Sequence, residues 1–413
     1  MNFWGYVIKL PGNLLGSMMK YEKSVILEKG RERLARNHNP WIYSGAVRSI
    51  NGNPQDGDIV AVLDFEKTFV AWAHYNSRSG IALRLLEWNE KVDPDILWIR
   101  KKISEAYELR KKMIGSDTNL FRLIYSESDM LPGIICDIYD SVAVLQISTP
   151  GFDRLKKDIA EIISEIVGIS SVYEKSDGDG RRIEGLAPSA GWIKGESDST
   201  ELIVKENGLN FFIDLSGQKT GFYADQRENR LLFGKIATGE VLDMCSFSGA
   251  FSIHALKNGA SHVTLCDISK ETLKLIDKNM EINDIAKEKH DFIAGDAFEV
   301  LRNLERNGRK FDSIVLDPPK LVPSNKYLEK GLKAYKDLNF NALKLLRDGG
   351  VLATFSCSGA VTMADFKNAV AYAAKDTGKE IKILHQMHQP FDHPVRMSAP
   401  ETEYLKGLLL KVY

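Results

Sequence analysis

From Gly239 onward the chain alternates short apolar runs with amphipathic stretches, and this alternation limits the possible folds more than any other feature. Val241 to Met244, Val263 to Asp267, His290 to Ala294, Ser313 to Leu316 and Val351 to Phe355 read as buried strands. Ala250 to Asn258, Lys270 to Asn283, Phe298 to Asn307 and Tyr327 to Leu346 read as the helices between them. Strands alternating with helices of that length predict an α/β domain with a parallel, doubly wound (Rossmann-like) sheet. Ligands of such sheets sit off the carboxyl ends of the strands. Leu405 to Val412 is expected to close the sheet as an antiparallel edge.

The strand ends carry acids. The first runs through Asp243-Met-Cys245-Ser-Phe247-Ser248-Gly249 straight into a helix. A pyrophosphate-binding turn needs G-x-G-x-x-G so that backbone can approach the phosphates. Only Gly249 is present, which suits a cofactor without phosphates but with a cationic amino-acid tail. The second strand ends on Asp267, followed by Ile268, where an acid reaches ribose hydroxyls. The third leads to Gly295-Asp296-Ala297, whose carboxylate can accept from an adenine amino group. Asp before a helix is also a common cap. Three such acids at successive strand ends, with a fourth at Asp317, outline S-adenosylmethionine.

Two further strand ends carry candidate chemistry. Val315-Leu-Asp317-Pro-Pro-Lys320 breaks off abruptly at two prolines, and the strand from Val351 ends on Ser356-Cys357-Ser358-Gly359. Methylating C5 of cytosine requires covalent activation, because C5 is a poor nucleophile until a thiolate has added to C6. Cys357 is placed to be that nucleophile, and Asp317 to hydrogen-bond or protonate ring N3. The competing reading of Cys357 is a small buried hydrophobe. Many amino-group methyltransferases place an aromatic where Lys320 stands, and two-cysteine RNA cytosine methyltransferases place a second cysteine there. Lys320 therefore points to a one-thiol cycle with another base or water for the final proton.

The 413 residues exceed one ordinary core and predict two or three domains. A formal net charge of −1 gives no global positive field, so any nucleic-acid contact must come from local patches. Cys136, Cys245, Cys266 and Cys357 are far apart and form no zinc-type spacing, which suggests a reduced, cytoplasmic protein without a bound metal. Residues 1–21 are expected to be a loosely packed extension that cannot span a bilayer, with Met18 or Met19 as an alternative start. Residues 22–92 read as a small β-rich module. Its interleaved basic and aromatic residues (Arg31, Arg33, Arg36, Trp41, Tyr43) fit an RNA surface or a solvated face over a core equally well. Residues 93–205 read as an α+β domain: a helix over 95–113, then strand (Phe121 to Ser126), strand (Gly133 to Ser148), helix (Phe152 to Ile166), strand (Ser171 to Lys175) and strand (Leu202 to Leu215). Residues 206–413 hold the doubly wound sheet.

Several segments together resemble the RlmI family of ribosomal RNA 5-methylcytosine methyltransferases. They are Lys29-Gly-Arg-Glu-Arg33, His38-Asn-Pro-Trp-Ile-Tyr-Ser-Gly-Ala46, Gln218-Lys-Thr-Gly-Phe-Tyr-Ala-Asp-Gln-Arg227, the Asp243 loop, Asp-Pro-Pro-Lys, Ser-Cys-Ser, Asp392-His-Pro-Val395 and Tyr404-Leu-Lys-Gly407. The resemblance implies a PUA domain, a β-β-α-β-β middle domain and a class I methyltransferase domain using S-adenosylmethionine on 23S rRNA, free or in an assembling large subunit. It also implies that Gln218, Phe222 and Asp225 belong to the cofactor and target pocket. It leaves the oligomeric state open, a homodimer included. Methylation of a guanine nitrogen and a non-catalytic RNA-binding role in assembly are the alternative readings.

Overall fold

The computed structural model describes residues 21–195, 200–216 and 221–413. The N-terminal extension through Lys20 and Gln218 lie outside the described residues. Strands β1 (Ser24–Leu27), β2 (Trp41–Tyr43), β3 (Val47–Asn51), β4 (Ile59–Leu63), β5 (Phe69–Tyr75) and β6 (Ile81–Glu87) form one sheet in the order β2-β6-β5-β4-β1-β3. Only β1 and β4 run parallel. Val25, Leu27, Val60, Val62, Val70, Leu83 and Leu85 fill its core.

The helix Ile96–Lys111 follows, capped by the Asp95 carboxylate, which accepts from the amides of Leu97 and Trp98. Its basic run is not all solvated. Arg110 is fully buried and makes paired bonds of 2.6 and 2.7 Å to Asp129. The middle sheet has the order β11-β10-β9-β8-β7, from β7 (Leu120–Tyr125), β8 (Ile134–Tyr139), β9 (Val142–Ile147), β10 (Ser171–Ser176) and β11 (Ser189–Lys194). The single strand expected from Gly133 to Ser148 is thus a hairpin, turned at Asp140 in the left-handed region (φ 56°). Both faces of this sheet are covered. Leu123, Ile134, Cys136 and Leu145 pack with Trp98, Ile103 and Ile159 of two helices, while Leu120, Tyr139, Val144 and Tyr173 join the core of the C-terminal domain.

Leu202 to Leu215 is likewise a hairpin, β12 (Glu201–Glu206) and β13 (Leu209–Asp214), forming its own two-stranded sheet. Asn279 and Asn283 accept from the amides of Phe212 and Asn210, which ties the hairpin to the C-terminal domain. The expected division at 205/206 falls inside this hairpin.

The C-terminal sheet contains β14 (Glu240–Met244), β15 (His262–Asp267), β16 (His290–Ala294), β17 (Phe311–Leu316), β18 (Leu346–Ser356), β19 (Ile381–His388) and β20 (Lys406–Val412), in the order β16-β15-β14-β17-β18-β20-β19. The first five are parallel, as the alternation predicts. β20 is antiparallel but internal, flanked by β18 and β19. The edge strand at this end is β19, which is largely exposed, with only Met387 fully buried. No helix among the described residues is long and apolar enough to cross a membrane.

Candidate active site

Five strand ends converge on one rim because β16, β15, β14, β17 and β18 are consecutive neighbours in the sheet. Asp243 is buried, and its Oδ2 accepts from the amide (3.2 Å) and hydroxyl (2.8 Å) of Ser252 in the helix Ala250–Lys257. Burial pushes its pKa up to about 6. The loop from Cys245 to Gly249 is tightly wound, with Cys245 (φ 64°), Phe247 (φ 46°) and Gly249 (φ 74°) all in the left-handed region. Only glycine takes that conformation without penalty, and a Cβ at Gly249 would also lie 3.2 Å from Leu265. Asp267 holds the loop in place, accepting from the Phe247 amide at 3.0 Å and the Ser269 amide at 3.2 Å. Tyr223 meets the Phe247 ring edge-on, 5.1 Å between centroids.

These residues fit S-adenosylmethionine. Ile268 is 76% exposed beside the Asp267 carboxylate, an apolar surface suited to a base next to an acid suited to a ribose. Asp296 caps the helix Ala297–Arg306 through Oδ1 alone, accepting from Phe298 and Glu299 amides. Cap and adenine acceptor are therefore compatible, since Oδ2 takes neither bond, and Ala297 opens the helix beside it. Other expected cofactor residues have a supporting place. Ser248 is buried, and its carbonyl accepts from Asn279 Nδ2 at 3.0 Å. Phe222 is buried against Phe211 (5.1 Å) under the Arg230 guanidinium (4.7 Å). Asp225 accepts from the Tyr404 hydroxyl at 2.5 Å, and its Oδ1 is buried with no hydrogen-bond partner among the described residues. Burial raises the thiol pKa of Cys245, and pushes that of Cys266 up to about 12.

Cys357 and Asp317 leave adjacent parallel strands, β18 and β17, where Leu316 pairs with Thr354. Cys357 is half-buried, with Sγ 3.8 Å from the Pro318 carbonyl. Its flanking serines are anchored from below. Ser356 Oγ donates to the Tyr335 hydroxyl (2.8 Å), which lies 3.0 Å from Ser358 Oγ, and the Val322 amide donates to Ser358 Oγ (3.1 Å). Lys406, opposite Ser356 on β20, donates to the Ser358 and Tyr404 carbonyls, both at 2.7 Å. Reading the sequence assigned no role to Tyr335 or Lys406. The one available signal was Lys406 within Tyr-Leu-Lys-Gly, a polar residue inside an apolar strand.

Residues 25–88 match the PUA-like domain family, and residues 228–383 match the family described as conserved hypothetical protein 95. Among solved structures, a Streptococcus mutans protein assigned as a SAM-dependent methyltransferase has 21% identity and a TM-score of 0.81, with 94% of this chain and 99% of that one covered. A structure of a protein assigned as a methyltransferase and complexed with SAH superposes with the same TM-score, 0.81. Together with the PUA-like match, that likeness shows a PUA-like module followed by a SAM-dependent methyltransferase fold. Ribosomal RNA large subunit methyltransferase I of Pseudoalteromonas translucida is 38% identical over 394 residues, covering 94% of this chain and 99% of the relative. The protein of that name from Vibrio vulnificus is 37% identical over the same shares of each chain. With strand-end acids, thiol and domain order in place along nearly the whole length, the chain belongs to the ribosomal RNA large subunit methyltransferase I family.

Proposed function

We propose that this S-adenosylmethionine-dependent methyltransferase forms 5-methylcytosine in 23S rRNA, with Cys357 as nucleophile and Asp317 as its partner on the base. The observation that carries the reading is their juxtaposition: thiol and carboxylate leave neighbouring parallel strands at one rim, beside the loop suited to the cofactor. S-adenosylmethionine supplies an electrophilic methyl group. Cys357 Sγ adds to C6 of the cytosine while Asp317 hydrogen-bonds or protonates N3, so that electron density builds at C5. Once C5 has gained the methyl, with S-adenosylhomocysteine as the leaving group, the C5 proton leaves to a base or water, the Sγ–C6 bond breaks, the thiolate is restored and any proton given to N3 returns to Asp317. A stacked base cannot present C6 to a strand-end thiol, so the target must be flipped or unpaired.

The N-terminal module is the RNA-binding element of this reading, and it supports the reading through its match to the PUA-like family. The substrate is 23S rRNA, free or in an assembling large subunit, which places the enzyme in the cytoplasm. The test is transfer of labelled methyl to rRNA by Cys357→Ala, combined with nucleoside mass spectrometry of rRNA from cells with and without the protein. Loss of transfer in the variant, and loss of one 5-methylcytosine without the protein, are expected. Full transfer by Cys357→Ala, or disappearance of a methylguanine instead, would overturn the proposal.

A further inference from the structure

We propose that Lys406 is a positioning residue for this reaction: its ammonium, clamped beneath the Ser356-Cys357-Ser358 turn, holds the Cys357 sulfur as the attacking thiolate. The inference rests on Cys357 being the nucleophile.

Lys406 is only 3% exposed, and its two bonds go to backbone carbonyls, including that of the residue after Cys357. An ammonium has three donors, so one is left without a protein acceptor among the described residues. A buried lysine is rare unless paired with an anion. The buried guanidiniums obey that rule: Arg110 pairs with Asp129, Arg227 with Asp392 and Arg230 with Glu206. Lys406 has no carboxylate within ion-pair distance among the described residues. An anion formed at Cys357 would supply the missing counter-charge.

The surrounding groups act in both directions. Burial lowers the Lys406 pKa to about 8, with Lys320 adding to the shift, while Cys357 and Glu403 oppose it. Interaction between two sites is mutual, so the Lys406 charge favours the thiolate as the thiolate favours the ammonium. Asp317, at the end of the adjacent strand, opposes thiolate formation, and the cation beneath the turn offsets it. Protons balance simply. The thiol proton goes to solvent, Lys406 keeps its own, and a sulfur lone pair forms the Sγ–C6 bond. When that bond breaks, sulfur leaves as the same stabilised thiolate, so the ammonium assists both attack and release.

The experiment follows iodoacetamide alkylation of Cys357 against pH in the full chain, read at its own peptide by mass spectrometry. A midpoint clearly below that of free cysteine, about 8.5, is expected; a midpoint at or above it overturns the inference without any variant. Lys406→Met should raise the midpoint by about one unit or more, with Lys406→Arg restoring it, and methyl transfer by Lys406→Met should recover in part at higher pH. An unchanged midpoint in folded Lys406→Met also overturns it. Alkylation does not depend on methyl transfer. An active Cys357→Ala would therefore remove the nucleophile reading, while the thiol titration still answers for Lys406.

Discussion

Arg227 donates to both carboxylate oxygens of Asp392, at 2.8 and 3.1 Å, and both side chains are buried. Asp392 also accepts from the Arg122 amide of β7 at 3.0 Å, while its backbone carbonyl accepts from Arg110 at 3.0 Å. One residue in the loop between β19 and β20 thus joins the catalytic domain to the middle domain. Burial alone would raise its pKa, but His393 and Arg227 prevail and hold it well below the carboxylate range. Asp392→Ala leaves Arg227 buried without its partner and should cost about 3–5 kcal/mol in urea unfolding. Asp392→Leu combined with Arg227→Met should recover much of that, because the isolated charge is gone.

Glu206 provides a pH-dependent contribution to stability. Burial opposes its ionisation, but Arg230 and His254 overcome this and bring its pKa from 4.5 to about 2. Because the folded-state pKa is depressed, the stabilisation is full above pH 4.5 and is lost as pH falls toward 2. The depression corresponds to about 3 kcal/mol. Denaturant unfolding between pH 2 and 6 should show this acid limb in the native chain and a flatter one in Glu206→Gln, which is less stable near pH 6 and approaches the native chain as pH falls toward 2.

Asp267 should govern cofactor affinity from two directions, as a ribose acceptor and as the anchor of the Phe247 amide. Calorimetric titration with S-adenosylhomocysteine should show binding weakened by about 10- to 100-fold in Asp267→Ala, the value of a charged hydrogen bond. Unchanged affinity would remove Asp267 from the cofactor site. Gly249→Ala should weaken binding too, through strain at φ 74° rather than a lost acceptor.

What was legible in the sequence follows from which signals are local. Asp243, Asp267, Asp296 and Asp317 each end an apolar run, so the strand and its rim were readable together. The thiol at Cys357 was readable for the same reason. The turn at Asp140 was missed because no glycine or proline marks it; Asp140-Ser141, a turn-favouring pair between two apolar runs, was the available signal. β19 was missed because its apolar residues Ile381, Ile383, Leu384 and Met387 are interrupted irregularly by lysine, histidine and glutamine, and only Met387 is fully buried. The helix Met363–Thr377 did carry a local signal, the capping box of Thr362 with Asp365. Lys406 shows the larger limit. Its place beneath Cys357 comes from the pairing of β18 with β20, a relation between residues 50 positions apart that periodicity cannot express.

Buried carboxylates of the middle domain also hold the N-terminal module in place. Glu184 of the middle domain accepts from Asn76 Nδ2 (2.9 Å), Ser79 Oγ (2.7 Å) and Arg84 (2.7 Å), all on the N-terminal module, and Asn76 Nδ2 also reaches its carbonyl at 3.0 Å. Arg84 is shared with Glu127, which in turn accepts from Trp41 Nε1 at 2.9 Å. Glu184→Ala leaves three donors without their acceptor, each costing about 1–3 kcal/mol when buried. The module's own core does not include Glu184, so the loss should loosen its docking rather than unfold it. Limited proteolysis should then cut faster near residue 92, and KM for rRNA should rise while S-adenosylhomocysteine affinity stays at the native value. A fall in cofactor affinity of the same size would mean that the damage had spread to the catalytic domain, and that Glu184 does more than fix the module's position.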